Sequence, residues 1–551
     1  MRRMPLFAGF SLLATILLST TALAQNAALS GNVSSDEEGA MEGVLVSAKK
    51  SGSNITVTVV TDRAGHFSFP AGRIEPGEYG LRIRAIGYDL DTPKTIQVAA
   101  QGTTQNLKLR KTEDLASQMS NAEWINSISG NDPRKGILLN CVGCHTVERI
   151  FRSKHDAEEF LEITLPRMQS YVNQSIPQHF QVRRAERMME ERGDSRVQVY
   201  KTTAEYLASI NLSSRPQWNF QLEPMPRPGG RATHVIYTEY DLPRDTIEPH
   251  DVIVDKDGFA WYSNFGEQNL GKVDPKTGKV TEYQVPEHKP GFPTGFLALR
   301  TDRDGDLWLG NMYQATITKF DRKTEKFSYW QLPKEQNVDA AQLNMVSPQS
   351  SHVDGKVWAQ NNGFAGVHRL DVASGKIETW EPFKGAKEPH NIYDVIPDSK
   401  NNVYFTDFRL RHIGRIDAKT GEFKLFEVPT AASAPRRGQM DSQDRLWFAQ
   451  YRGDRVAMFD TKTEEFKEWR IPPRWSAPYD AVLDKNDEVW TGSMLTDQVT
   501  RLNTKTNEMV QYLLPRSTNI RRVFVDNTTT PVTFWVGSNH GASIVKVEPL
   551  D

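Results

Sequence analysis

The stretch "PHDVIVDKDGFAWYSNFGEQNLGKVDPKTGKVTEYQVP", residues 249–286, holds four short apolar runs divided by turn signals such as Asp257-Gly258 and Thr277-Gly278. Each run is rich in β-branched and aromatic residues, the pattern of consecutive antiparallel strands. The scheme recurs along the C-terminal half of the chain. An apolar strand comes first, then D-x-x-x-x-x-W on a second strand, then (I/V)-x-(R/K)-(I/V/F/L)-D, then an outer strand ending near Pro. Its anchors are Trp261, Trp308, Trp358, Tyr404, Trp447, Trp490 and Trp535, which by subtraction lie 43 to 50 residues apart. That period with four strands predicts propeller blades. A solenoid has similar periods, but the ends of the array separate the two. The last segment, "NIRRVFVDNTTTPVTFWVGSNHGASIVKVEPLD" (519–551), stops before its outer strand, while "THVIYTEYDLP" (233–243) supplies only an outer strand. One blade completed from both ends predicts a closed seven-bladed ring over residues 233–551.

The fold class expected for the whole chain is therefore multidomain and mainly β. At 551 residues and 38% hydrophobic content it is long enough for several cores. Residues 1–25 carry Arg2 and Arg3, an apolar run to about Leu18 and "ALA" ending at Ala24, which reads as an export signal rather than an anchor. Residues 26–111 alternate polar and apolar residues in short runs and predict a small β-sandwich. Residues 112–213 turn helical in "EDLASQMSNAEWINSI", "DAEEFLEITLPRM", "RRAERMMEER" and "TAEYLASINL". Residues 214–232, rich in Pro, Gly and Arg, read as a linker. A net charge of −2 with interspersed signs points to no nucleic-acid partner, and no later segment predicts a membrane span, so the mature protein is expected to be periplasmic or secreted.

Two resemblances sharpen this reading. The segments "LSGNVSSDEEGAMEGVLVSA", "TVVTDRAGHFSFP" and "PGEYGLRIRAIGY" resemble the carboxypeptidase regulatory-like, transthyretin/Ig-like sandwich, which implies an accessory unit without chemistry of its own. Repeats such as "PHNIYDVIPDSKNNVYFTDFRLRHIGRIDAKTGEFKLFEVP" (389–429) resemble the virginiamycin B lyase (streptogramin lyase) propeller. That resemblance implies histidines in "P-H" positions at one mouth, a nearby carboxylate and a divalent metal, acting by C–O elimination. The matching residues are His250, His390 and Asp407. The family sets its catalytic histidines in neighbouring blades, whereas His250 and His390 lie three repeats apart, and the repeats after His390 offer Arg436 and Tyr479 instead.

Independently of any family, inner strands start at one mouth of such a ring and second strands end there. The residues at these positions are polar in every repeat. Arg436, Tyr479 and Arg521 among them favour a small anionic or glycan-like ligand.

The two cysteines of the chain both sit in "CVGCH", Cys141 to His145. C-x-x-C-H spacing lets two thiols attach to one edge of haem while the next residue turns under the iron. A redox CxxC and half a zinc site are the alternatives. The reading adopted is one covalent haem c on Cys141 and Cys144, with His145 as proximal ligand, in a small all-α cytochrome c-like domain. Met168 is the expected sixth ligand, with Met188, Met189, His155 and His179 as alternatives. The function expected is an exported electron-transfer cytochrome whose propeller binds a substrate or a periplasmic redox partner protein, with haem-coupled oxidation favoured over a lyase. The alternatives are the elimination enzyme and a glycan or cell-wall binding module.

Overall fold

A computed structural model describes residues 28–551 apart from 144, 166–184, 293 and 340, and for residues 163, 164 and 185–197 the backbone alone. Six four-stranded antiparallel sheets follow one another from Pro249–Val254 to Met509–Leu513, each with its strands in chain order. A further sheet runs Ile520–Asp526, Thr533–Ser538, Ser543–Pro549 and then Val235–Asp241, the early strand pairing Val235 with Pro549 through Asp241 with Ser543. Pro249–Val254 packs against Ile520–Asp526 and Thr533–Ser538, so the last sheet adjoins the first.

The repeat motif has a local cause. Trp261 Nε1 donates to Asp255 Oδ2 at 2.7 Å, and Trp308–Asp302, Trp447–Asp441 and Trp490–Asp484 repeat the bond at 2.9 Å. The other oxygen of Asp255 accepts from the Asp257 and Phe259 amides, so one carboxylate pins both the hairpin turn and the indole of the next strand. Trp358 departs from this, donating to the Asn401 carbonyl of the following repeat. The glycine of "GKVD" is equally determined, because a Cβ on Gly271 would lie 1.9 Å from the Tyr262 ring.

Along the ring axis the inner strands meet in buried ion pairs. Arg437 grips Asp251 with both nitrogens, at 2.5 and 2.7 Å, and Arg522 reaches the same carboxylate at 3.2 Å. Arg300 Nη2 donates to both oxygens of Asp394, at 2.7 and 2.9 Å, while its Nη1 donates to the Val395 carbonyl. These groups come from the first, second, fourth, fifth and seventh repeats, and Asp251, Asp394, Arg300 and Arg437 are almost wholly buried.

The sandwich buries Leu29, Val33, Val46, Val57, Phe67, Phe69 and Leu107 between two sheets. One of these does not end at the domain boundary. Ile55–Val60 pairs antiparallel with Val235–Asp241, so the last propeller sheet runs on into the sandwich as one eight-stranded sheet. An edge that would otherwise be open is thereby paired. Arg73–Glu548 and Arg84–Asp497 ion pairs flank the seam.

Between sandwich and propeller lie short helices, Asn121–Ser127, Leu138–Cys141 and Glu148–Phe151, and the longer Ala185–Ile210. The first is fixed by a capping box of Ser120 and Glu123. The stretch 214–232, which reads as a linker in the sequence, packs against both neighbouring parts. Trp218 stacks edge-on against Trp124 and donates to the Phe151 carbonyl at 2.9 Å, Met225 N donates to Glu123, and Arg227 pairs with Glu38. Its prolines stiffen a strap whose aromatics are half-buried against the helices and whose arginine binds the sandwich.

Removing one partner of a buried pair leaves an uncompensated charge, at about 3–5 kcal/mol. Asp251→Ala is expected to lower stability by that order in urea unfolding followed by tryptophan fluorescence. Asp251→Leu combined with Arg437→Met is expected to lose less than the two single changes summed.

Candidate functional site

Cys141 closes the helix Leu138–Cys141 and is buried. His145 Nδ1 lies 2.7 Å from the Thr146 carbonyl, which only accepts, so Nδ1 carries the hydrogen and Nε2 keeps its lone pair. That is the tautomer in which a histidine binds a metal through Nε2. Burial lowers the His145 pKa and keeps the ring neutral. Cys144, Met168 and His179 lie outside the described residues, as do the side chains of Met188 and Met189. His155 is exposed and turned toward Glu159 at 3.4 Å.

The propeller mouth holds this loop. Tyr451 donates to the Leu139 carbonyl at 3.3 Å, Asn519 Nδ2 to the Val142 carbonyl at 3.0 Å, and Arg521 Nη2 to the Gly143 carbonyl at 2.9 Å. Cys141 and Val142 share one apolar cluster with Phe265, Met494 and Leu495 of the ring. Arg521, expected to meet a free anion, thus faces a backbone carbonyl of the chain itself.

Beneath the loop the remaining mouth residues bond to one another. His250 is fully buried, with Nδ1 2.9 Å from Asp251 Oδ1 and Nε2 2.9 Å from the Tyr479 hydroxyl. The Tyr479 and Tyr393 hydroxyls are 2.5 Å apart, and Arg436 Nη2 donates to Tyr393 at 3.2 Å. One direction satisfies every group: Arg436 donates to Tyr393, Tyr393 to Tyr479, Tyr479 to His250 Nε2, and His250 Nδ1–H to Asp251. Burial pushes the His250 pKa down to about 3, so it stays neutral, while Arg437 and His250 overcome burial to hold Asp251 well below the carboxylate range. Arg436 is caged by the rings of Tyr393, Phe408, Tyr451 and Tyr479. Neither nitrogen of His250 is open to a substrate, and Arg436 and Tyr479 face protein rather than a ligand.

His390 and Asp407 do come together. His390 Nδ1 is 2.8 Å from Asp407 Oδ2, and His412, which no repeat pattern singles out, places its Nδ1 3.3 Å from the same oxygen. Asp407 is fully buried, whereas His390 and His412 keep part of their surface exposed. His250 belongs to a separate network, so the expected trio of His250, His390 and Asp407 is not one site.

The Virginiamycin B lyase family matches residues 398–549, and the Carboxypeptidase regulatory-like domain matches residues 28–110. The chain carries a virginiamycin B lyase-like propeller. No curated protein matches the chain. Among solved structures, a streptogramin B lyase is 21% identical with a TM-score of 0.50, spanning 58% of this chain and 99% of its own. Virginiamycin B lyase from Staphylococcus aureus is 22% identical with a TM-score of 0.48, over 57% of this chain and 99% of its own. At these identities the likeness is one of fold, a β-propeller-like array beside a carboxypeptidase regulatory-like domain. Among the described residues no helix is long and apolar enough to cross a membrane.

Four buried groups give the ring a pH signature. His250, His368 and His540 are all held down to about 3 by burial, so below pH 6.5 the unfolded chain binds their protons and the folded chain does not. Stability from these three is lost as pH falls. Burial pushes Asp480 the other way, to about 7, so its contribution is lost as pH rises through 7. The net is two protons, about 2.7 kcal/mol per pH unit between about pH 4 and 6. Thermal midpoints are expected to peak near pH 6.5. In Asp480→Asn the acid limb should become about half as steep again and the decline above the peak should vanish; superimposed profiles would show that Asp480 does not titrate there.

Proposed function

We propose that the chain is an exported c-type haem protein, built on a closed ring of seven blades whose mouth carries the haem-attachment loop. The observation that carries this reading is the pairing of a His145 tautomer suited to iron with a loop whose carbonyls are bound by the ring. Cys141 and Cys144 would hold haem through thioethers and His145 Nε2 would bind its iron; when bound, the haem supplies one-electron redox chemistry. Tyr451, Asn519 and Arg521 hold the loop in place. Arg521 brings a positive charge to the loop, which favours the less positive, reduced iron. A single haem exchanges one electron at a time, so a periplasmic or extracellular partner protein completes the transfer.

The protein made with a haem-attachment system is expected to show a reduced α-band and covalent haem that Cys141→Ala abolishes. Arg521→Gln is expected to keep the haem and shift its potential negatively by tens of millivolts, where about 59 mV corresponds to a tenfold change in a one-electron equilibrium. Absence of covalent haem from the matured wild type would end this reading.

The His390–Asp407 pair favours a second reading, C–O elimination of the streptogramin lyase kind, and the lyase-like propeller supports it. With its Nδ1 hydrogen given to Asp407, His390 Nε2 would take the substrate proton. Wild-type protein should then linearise quinupristin, read by mass spectrometry, and His390→Ala should not. An unchanged drug after incubation with the wild type would remove this reading.

A further inference from the structure

We propose that His540, in the last repeat of the ring, is the second axial ligand of the iron that His145 binds, so that one imidazole comes from the loop and the other from the propeller. The inference rests on the haem reading above and adds a residue to it. His540 lies 395 residues beyond His145, and no spacing in the sequence links it to the cysteines. Its ring hydrogen-bonds the Gly143 carbonyl, inside CVGCH, and it stands close enough to His145 for charges on the two rings to repel.

The nitrogen that matters is Nε2, which is buried without a hydrogen-bond partner. The ring nitrogen that meets the Gly143 carbonyl is therefore Nδ1, and because a carbonyl only accepts, Nδ1 carries the hydrogen. His540 thus repeats the arrangement of His145, with Nδ1–H given to a backbone carbonyl and the Nε2 lone pair open, the form in which imidazole binds a metal. A buried polar atom without a partner is uncommon and calls for one. His288 and His368 also keep such an Nε2, but they face Tyr329 and Thr379 rather than the loop. Burial, and after it the charge of Arg521, hold His540 down to about 3, so no proton competes for the lone pair at neutral pH. The methionine that packs beside the loop, Met494, is already engaged, its sulfur accepting from Arg436 Nη1 at 3.1 Å.

The surroundings fix the residue in place. His540 sits in the tight turn between Thr533–Ser538 and Ser543–Pro549, where Gly541 N donates to the Ser538 carbonyl at 3.0 Å and Leu242 N to the Ala542 carbonyl at 2.9 Å. Its neighbour Asn539 accepts from Arg521 Nη2 at 3.2 Å, and the same nitrogen holds the Gly143 carbonyl. The turn is tied to the ring and to the loop at once, which presents the imidazole without a conformational change. Two imidazoles on the iron give a lower potential than an imidazole and a thioether.

The test uses the full-length protein matured with a haem-attachment system, read by electron paramagnetic resonance, near-infrared magnetic circular dichroism and redox titration. The oxidised wild type should be low-spin with two nitrogen ligands and without the far-red sulfur-to-iron band. His540→Gln, which keeps a donor for the Gly143 carbonyl, and His540→Ala should keep covalent haem but turn high-spin, and added imidazole should restore the low-spin state of the alanine variant. His540→Met should bring in the sulfur band and raise the midpoint by at least about 59 mV, a tenfold change in a one-electron equilibrium. A sulfur band or a high-spin state in the oxidised wild type, or spectra of the variants that match the wild type, would overturn the assignment while leaving the haem in place. Absence of covalent haem from the wild type is the separate result that ends the haem reading itself.

Discussion

Asp251 sits on the ring axis and is shared by two arginines from other repeats, Arg437 and Arg522. Taking such a carboxylate out of water is affordable only with both charges and its hydrogen bonds in place, so the strands that carry them cannot slide independently. Arg300 and Asp394 tie two more repeats together. Everything at the mouth is referenced to this belt. His250, next in sequence to Asp251, is turned inward, and Tyr479, Tyr393 and Arg436 follow it in a closed line of hydrogen bonds.

The consequence is a mouth with little left to offer a free ligand along its centre. Its outward-facing donors, Tyr451, Asn519 and Arg521, are spent on the carbonyls of residues 139, 142 and 143. The same logic joins the other parts. The strand Val235–Asp241 completes the last sheet of the ring and is itself covered by the sandwich strand Ile55–Val60. The strap of residues 214–232 packs Trp218 and Phe220 against Trp124 and Phe151. The His390, Asp407 and His412 group stands apart from these networks with part of its surface open.

What could be read in the sequence was local. The Asp–Trp bond spans six residues and the strand alternation spans two, so the repeats, the sandwich and the strand borrowed from residues 233–243 were visible as patterns. The CVGCH motif stood out because it holds both cysteines of the chain. The pairing of axial charges was not, since Arg437 lies 186 residues from Asp251 and Arg522 lies 271 residues from it. Polar residues at strand ends looked like a ligand site because sequence gives their polarity and not their partners. His412 was missed because it occupies a position that other repeats fill with Asn269, Thr316 or Gln498. Proline and glycine in residues 214–232 suggested a linker, but Trp218 and Phe220 were the residues that decided its packing.

The central claim is that the ring's own ligand is the loop carrying CVGCH. Amide hydrogen exchange by mass spectrometry on the full-length protein tests it directly, comparing wild type with a variant carrying Asn519→Ala and Arg521→Gln. The peptide covering residues 138–150 should exchange slowly in the wild type and markedly faster in the variant, with peptides of the ring axis around Asp251 and Asp394 unchanged. Equal exchange of that peptide in the two proteins would contradict the account.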